Sequence, residues 1–194
     1  MQTKIINIYE ITELEGTARQ RALDWLREGL DYEWYDFVFE DSKKCASILG
    51  IEIDKIYFSG FYSQGDGACF NGRFSYAKGW KKALKAYAPI DAELLRIGQR
   101  LQDIQKPFMY QITGAIESND RYYRTSCGSA DINGRFADVP DSVIDDLTEC
   151  FSNFADWIYK NLSAEWEYLT SEEQLIENAL CNEYMFDSEG RVVS

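Results

Sequence analysis

The chain has 194 residues, 45% of them hydrophobic and 15% aromatic, which is enough apolar material for one folded domain and excludes a disordered tail. It contains no histidine, which excludes Ser-His and Cys-His nucleophilic pairs, histidine general bases and His-ligated zinc. The formal charge of −13 is concentrated at one end: residues 136–194 hold 14 Asp and Glu against 2 Lys and Arg, whereas residues 1–135 hold 19 against 18. Such a charge repels nucleic acids and membrane surfaces and attracts basic partners.

The N-terminal part of the sequence predicts one strand followed by two helices. Residues 4–9 are rich in β-branched side chains and predict the strand. Apolar side chains at helical spacing predict helices at about 17–30 and 34–49. The second helix is expected to bury a stripe made of Trp34, Phe37, Val38, Cys45, Ile48 and Leu49, with Gly50 as its C-terminal cap.

A β-hairpin is predicted next. Its arms are residues 56–62 and 69–76, joined by residues 63–67, in which Asp66-Gly67 is the turn signal. Gly60 and Gly72 interrupt the arms, and a glycine inside a strand marks a bulge or a close approach by other backbone.

The remaining sequence predicts more helices and a second hairpin. The predicted elements are helices at about 79–87 and 91–105, hairpin arms at 108–117 and 122–132 turning at 118–121, a long helix after Pro140, a helix capped by Ser171, and a terminal hairpin within 184–193. Together they predict a single α+β domain spanning 1–194. Its antiparallel sheet is built from two hairpins and covered by several helices, with a helical, acidic C-terminal third.

The sequence gives no indication of secretion, membrane insertion or a bound cofactor. No signal peptide or membrane-length apolar run is present, so the expected location is the cytoplasm, that of the host cell if the protein is phage-encoded. The five cysteines are scattered and odd in number, so we expect small core residues rather than disulfides or a metal site. No cofactor and no metal are expected.

Several segments carry a family resemblance that spans most of the chain. The longest is Gly50-Ile51-Glu52-Ile53-Asp54-Lys55-Ile56-Tyr57-Phe58-Ser59-Gly60-Phe61-Tyr62-Ser63-Gln64-Gly65-Asp66-Gly67-Ala68-Cys69-Phe70, and others are Tyr32-Glu33-Trp34-Tyr35-Asp36 and Asn182-Glu183-Tyr184-Met185-Phe186. The sequence resembles phage- and prophage-encoded proteins labelled "antitoxin of toxin–antitoxin stability system". The resemblance implies an accessory protein of a mobile element that neutralises another protein. Family members commonly carry histidines in the second hairpin, and this chain has none, which argues against shared histidine chemistry.

The first candidate site is the loop of the first hairpin. Its residues are Phe61, Tyr62, Ser63, Gln64, Gly65, Asp66 and Gly67. Two glycines and a polar pair flanked by aromatics are able to present backbone N–H groups to an anion, or Asp66 to a cation. The alternative interpretation, a tight turn whose residues are chosen for φ > 0, is favoured. The aromatic side chains of the same hairpin are a weaker candidate, for a ligand-binding platform.

The second candidate site is an acidic stripe, defined as Asp141, Asp145 and Glu149. The three residues recur every four positions, a step of about 6 Å along a helix. Repeated negative charges imitate a phosphate backbone, whereas the alternative is a solvated face favoured by the helix macrodipole.

Three functions are therefore compatible with the sequence. The favoured hypothesis is a non-enzymatic accessory protein that binds and neutralises another protein with a basic surface, without direct binding to nucleic acid or membrane. One alternative is a nucleic-acid mimic that inhibits a host defence or restriction enzyme. The other is a small-ligand-binding or enzymatic domain that uses the loop 63–67.

Overall fold

The computed structural model describes residues 7–30, 33–118 and 139–193, together with the backbone of 127–134. The chain divides into two compact units, residues 36–163 and residues 1–35 with 164–194, here called the sheet unit and the terminal unit. The elements in chain order are α1 Gly16–Glu28, α2 Asp36–Leu49, β1 Ile51–Phe58, β2 Ala68–Phe74, α3 Trp80–Tyr87, α4 Ala92–Gln105, β3 Ile112–Ser118, β4 Cys127–Gly134, α5 Asp141–Leu169 and α6 Glu172–Cys181. The α+β prediction is confirmed, and the prediction of a single domain stays a prediction.

The sheet of the sheet unit is built from two antiparallel hairpins. Its four strands follow the order β1-β2-β3-β4, so each strand pairs with its neighbour in sequence. β2 joins the two hairpins by pairing with β3 from Gly72 opposite Ile116 to Phe74 opposite Gly114. The Asn71 side chain extends this ladder, because its Oδ1 accepts from the Ser118 backbone N–H at 2.8 Å. The predicted turn at 118–121 and the first part of the predicted arm 122–132 lie mostly outside the described residues.

The sequence predicts a bulge or a close approach at Gly72, and the structure has a close approach to β1 there, beside a bulge in β1. The pairing of the two strands is irregular between Ile53 and Lys55, where β1 carries one extra residue. A Cβ atom added at Gly72 would collide with the backbone carbonyl of Glu52. Only a residue without a side chain therefore fits there.

Aromatic side chains form the core between the sheet and α5. Phe70 and Phe74 of β2 meet Phe154 and Phe151 of α5 edge to face, with ring centroids 5.8 and 5.4 Å apart. All four rings are buried. Since burial of one such side chain contributes about 1.5–3 kcal/mol, this contact is a major stabilising term of the sheet unit.

The helices of the sheet unit are linked in the order α2, α3, α4, α5. Tyr87 of α3 bonds Asp41 of α2, and the Trp80 indole of α3 donates to Gln102 of α4 at 2.9 Å. The Trp157 indole of α5 donates to Asp91, the N-cap of α4, at 2.8 Å. α4 is therefore bonded to α3 and to α5.

The terminal unit joins both ends of the chain around its own apolar core. The core contains Leu23 and Leu26 of α1, Leu175 of α6 and the buried ring of Phe186. Tyr9 and Phe186 exchange two backbone hydrogen bonds of 2.8 and 2.9 Å. Tyr9 makes only this isolated bridge, and the remainder of the strand predicted at 4–9 lies largely outside the described residues. A second bridge, Phe186 with Val192, confirms the terminal hairpin.

Several boundaries and one buried stripe differ from the prediction. β1 begins at Ile51 rather than Ile56 and ends at Phe58, so Gly60 lies in the loop and not in a strand. Phe37 is 76% exposed and is not part of the buried stripe of α2. That stripe follows Val38, Ser42, Cys45, Ala46 and Leu49, and Phe37 lies about 100° of helix rotation away from Val38.

The cysteines do not all belong to the core. Cys45, Cys69 and Cys150 are buried, as expected, whereas Cys181 is exposed. Burial raises the pKa of the Cys45 and Cys150 thiols to about 12, which keeps both protonated at neutral pH. The side chain of Cys127 lies outside the described residues.

Replacing Gly72 with alanine tests the close approach of β1 and β2. We expect Gly72→Ala to lower the free energy of unfolding by about 2 kcal/mol, because the added methyl group forces the two strands apart. Thr113→Ala, on the exposed face of the same sheet, is the matched control and should change stability by no more than about 0.5 kcal/mol. Urea denaturation measures both. Equal stability of Gly72→Ala and wild type would contradict the assigned register.

Candidate functional site

The hairpin loop between β1 and β2 is closed by its own hydrogen bonds. The Ser59 backbone N–H donates to the Gly67 carbonyl at 3.1 Å, and the Gly67 N–H donates to the Ser59 hydroxyl oxygen at 3.0 Å. At the tip, the Ser63 N–H donates to the Asp66 carboxylate at 2.6 Å, and the Asp66 N–H donates to the Ser63 carbonyl at 3.1 Å. The Asp66 carboxylate therefore holds the backbone of the turn.

The turn lies two residues earlier in the chain than the sequence predicts. Gly65 has φ +106°, in the region that favours glycine, whereas Gly67 is not among the residues with positive φ. The tip is thus formed by Gln64 and Gly65 between Ser63 and Asp66, and the Asp66-Gly67 pair is not the turn. This geometry matches the interpretation of the loop as a structural turn. A ligand-binding role for Ser63–Gly67 stays a prediction.

Phe61 ties the loop to the core of the sheet unit. Its ring stacks on Phe58 with centroids 6.1 Å apart and lies 5.6 Å from the ring of Tyr159 on α5. The Tyr159 hydroxyl donates to the Gly60 carbonyl at 3.1 Å. Phe61 is half-buried, whereas the adjacent Tyr62 is 84% exposed.

One end of the sheet unit gathers four exposed apolar side chains, and we name it the acidic–aromatic end. These side chains are Phe37, Tyr62, Tyr87 and Ile90, which are 76%, 84%, 45% and 94% exposed. The end is built where α2 begins, β1 ends, α3 ends and α4 begins, because antiparallel neighbours bring these termini together. Two contacts fix it: Phe39 of α2 meets Phe58 of β1 edge to face at 5.9 Å, and Tyr87 bonds Asp41 at 2.6 Å.

Carboxylates surround these apolar side chains. The acidic residues at or beside these termini are Asp36, Glu40, Asp41, Asp66, Asp91 and Glu93. The Lys160 ammonium forms an ion pair with Glu93 at 2.8 Å. The Tyr87 hydroxyl donates to Asp41, and this hydrogen bond raises the pKa of the hydroxyl to about 12. The phenol therefore remains a neutral donor bound to a carboxylate. This end therefore carries both exposed apolar side chains and carboxylates.

The acidic stripe lies elsewhere on α5. Asp141, Asp145 and Glu149 are exposed, as the stripe requires. Their neighbourhood is not purely acidic, since Arg100 of α4 pairs with Asp146 at 2.6 Å, and Arg96 and Arg100 line a small pocket together with Glu149. From Asp145 to Tyr159 the helix advances roughly 21 Å at 1.5 Å per residue. The two predicted sites are therefore separate surfaces.

A third surface is a shallow groove on the face of the sheet away from α5. It has a volume of about 650 Å³, and its floor is formed by β1, β2 and β3. Its charged lining consists of Glu52, Asp54, Arg73 and Glu117. Strand pairing creates this groove, because Arg73 lies opposite Glu52 on β1 and Ala115 on β3.

Sequence reasoning missed three residues of the acidic–aromatic end: Phe37, Tyr87 and Ile90. The sequence predicts Phe37 in the core, although the period set by Val38 and Cys45 places it on another face of α2. Ile90 follows Pro89 in a turn, where an apolar side chain has no regular element to bury it. Phe37 and Ile90 could have been identified from the sequence as large apolar residues that lie outside the apolar stripe of a helix or inside a turn.

Two kinds of site are not found in the part of the chain that is described. Among residues 7–30, 33–118 and 139–193, no group of three acidic or cysteine side chains is placed to hold a metal ion. No described helix is both long and apolar enough to cross a membrane.

Substitutions at the tip of the loop separate backbone strain from lost contacts. No atom lies within 4 Å of a Cβ added at Gly65, so the cost of a side chain there comes from the backbone alone. We expect Gly65→Val to lose about 1–2 kcal/mol of stability and Gly65→Asn to lose much less, because asparagine tolerates a left-handed conformation. Asp66→Ala should lose about 1 kcal/mol with its hydrogen bond. Thermal and urea unfolding measure these differences, and equal stability of the Val and Asn variants would contradict the assigned turn.

Comparisons with known proteins place the chain in one family. Searches of curated proteins and of solved structures gave no significant match. A family model matches residues 34–172, a range that contains the whole sheet unit and its acidic–aromatic end. The chain therefore belongs to the family described as Domain of unknown function (DUF8835).

Proposed function

We propose that this chain is a non-enzymatic binding protein that holds another protein against its acidic–aromatic end. The observation that carries the proposal is the exposure of Phe37, Tyr62, Tyr87 and Ile90 at one end of the sheet unit. Single exposed apolar residues are ordinary, but several on neighbouring elements favour an interaction surface. Aromatic side chains are also enriched among the residues that dominate binding energy at protein interfaces.

The charge at this end supports a partner with a basic surface. The exposed apolar side chains share this end with carboxylates of α2, the hairpin loop and α4, of which Asp36 and Glu40 are exposed. An apolar centre with a charged rim is the usual arrangement of a protein interface. Complementary charge at the rim accelerates association and selects the partner. The partner therefore presents an apolar patch bordered by Lys and Arg.

The resemblance to phage-encoded proteins labelled as antitoxins suggests a biological role for this binding. A protein that covers the basic surface of another protein blocks whatever that surface does, and a negative rim suits a target that acts on nucleic acid. We therefore propose neutralisation as the outcome of binding. The commitment of the Asp66 carboxylate to the turn supports a binding role over a catalytic one.

The nucleic-acid mimic is the second candidate, and the acidic stripe is the observation that favours it. Asp141, Asp145 and Glu149 are exposed along one helix. The stripe is short, however, and Arg96 and Arg100 lie beside its last residue. A mimic needs a longer run of uncompensated charge, so the protein-binding proposal has the stronger support.

Substituting two exposed side chains of the proposed interface, one aromatic and one aliphatic, tests it. We expect Phe37→Ser combined with Ile90→Ser to weaken partner binding at least tenfold while changing stability by no more than about 0.5 kcal/mol, since both side chains are exposed. Leu180→Ser is the matched control, because Leu180 is 44% exposed in the terminal unit. Host lysate is passed over each immobilised protein, and the captured partner is purified and titrated by calorimetry.

The proposal requires a partner retained by wild type and Leu180→Ser and lost by the double variant. A partner held equally by all three proteins would contradict the proposed interface. Failure of wild type to retain any partner under low-salt conditions would contradict the binding function itself.

A further inference from the structure

The sheet unit carries a locally basic strip, although the net charge of the chain is negative. Residues 67–90 contain one arginine, four lysines and no acidic residue, in a chain of net charge −13. The four lysines, Lys78, Lys81, Lys82 and Lys85, lie on α3 or directly before it, and we name them the basic strip. All four are exposed. The ion pairs found within the described sheet unit use Arg100 and Lys160 and leave the strip without a carboxylate.

A pair of tyrosines lies at the start of the basic strip. The rings of Tyr76 and Tyr110 are tilted by 31° with centroids 4.3 Å apart. Tyr76 precedes Lys78 by two residues, and Tyr110 is 37% exposed. The pair therefore presents aromatic surface beside the first lysine of the strip.

The loop that carries Tyr110 is held in a strained conformation by a buried side chain. Met109 and Tyr110 have φ of +53° and +61°, which are unfavourable for residues other than glycine. Gln105 is fully buried, and its amide donates to the Ile112 carbonyl at 2.6 Å while its Oε1 accepts from the Ile112 N–H at 3.0 Å. This pair of bonds closes the loop 106–111 and fixes Tyr110 against Tyr76. Strain kept in place by such a clamp is characteristic of a functional position.

We propose that the basic strip and the Tyr76–Tyr110 pair form a binding site for single-stranded nucleic acid. Lysines in a row attract successive phosphates of one strand, and tyrosine rings stack on bases without regard to sequence. A linear polyanion that also carries planar rings satisfies both features, whereas an acidic polypeptide satisfies only the first. The site runs along α3 up to the acidic–aromatic end at Tyr87, and its function does not require the protein partner proposed above.

The net charge does not prevent this binding, because the charges are separated. α4 is bonded to both α3 and α5, and neighbouring helices lie about 8–10 Å apart, so α3 and the acidic stripe are separated by roughly two such spacings. The screening length at physiological salt is about 8 Å. A phosphate on α3 is therefore attracted by the nearby lysines more than it is repelled by α5. The expectation that this chain avoids nucleic acid rests on the acidic residues 136–194 and does not consider the local charge of α3.

Fluorescence anisotropy of a labelled oligothymidylate of about 12 nucleotides tests the site on the full chain. Lys82→Gln with Lys85→Gln should weaken binding and reduce the slope of log affinity against log salt by about 1.4, or about 0.7 for each phosphate contact. The matched control is Lys43→Gln with Lys55→Gln, which removes the same charge from α2 and β1 and should leave the affinity and slope unchanged.

The aromatic part is tested by Tyr110→Gly and Tyr110→Phe. Glycine relieves the strain at φ +61° while removing the ring, so the variant should keep its melting temperature and bind at least fivefold more weakly. Phenylalanine keeps the ring and should bind as wild type does. The proposal is overturned if the oligonucleotide does not bind, if both lysine pairs have equal effects, or if polyglutamate binds as tightly. Thymidine monophosphate binding as tightly as the oligonucleotide would also overturn it, since one phosphate does not span the strip.

Discussion

The apolar stripe of α5 packs against the inner face of the sheet, and the surfaces of the sheet unit depend on that contact. Two edge-to-face pairs, Phe154 with Phe70 and Phe151 with Phe74, join α5 to β2. Because β2 lies between β1 and β3, this contact orients the whole described sheet. It also brings Tyr159 to the hairpin loop and Trp157 to the start of α4.

This arrangement gives the sheet unit surfaces of opposite charge. The acidic–aromatic end collects the termini of four elements, whereas the basic strip and its tyrosine pair lie along α3. α4 is bonded to both α3 and α5. A chain of high net charge thus retains a local surface of the opposite sign, because screening confines electrostatic attraction to about 8–10 Å. Net charge describes the solubility of such a protein better than it describes its partners.

Local patterns in the sequence predicted the elements that have strong periodicity. The stripe from Leu147 to Leu162 predicted α5, since its apolar residues repeat at helical spacing over many turns. Ser171 predicted the start of α6, and its hydroxyl accepts from the Gln174 N–H. Gly72 was predicted to mark a bulge or a close approach by other backbone, because glycine inside a strand has few other uses. In each case one local rule was sufficient.

Features that depend on contacts between distant residues were not predictable. Ile51 to Asp54 alternates apolar and acidic side chains, but the preceding helix and the bulge in β1 obscured the start of the strand. Gly65 and Gly67 offered two alternative positions for the turn. The hydrogen bonds of Asp66 place the turn at Gly65. The acidic–aromatic end required knowing which termini meet, information that pairing of the elements supplies and local sequence does not.

The central claim is that a partner protein covers the acidic–aromatic end. Hydrogen–deuterium exchange of the full chain, free and bound to the captured partner, measures this most directly. We predict slower exchange in 36–41, 59–67 and 87–91 on binding, with 141–149 unchanged. Protection confined to 141–149, with the first three segments unaffected, would contradict the claim and assign recognition to the acidic stripe.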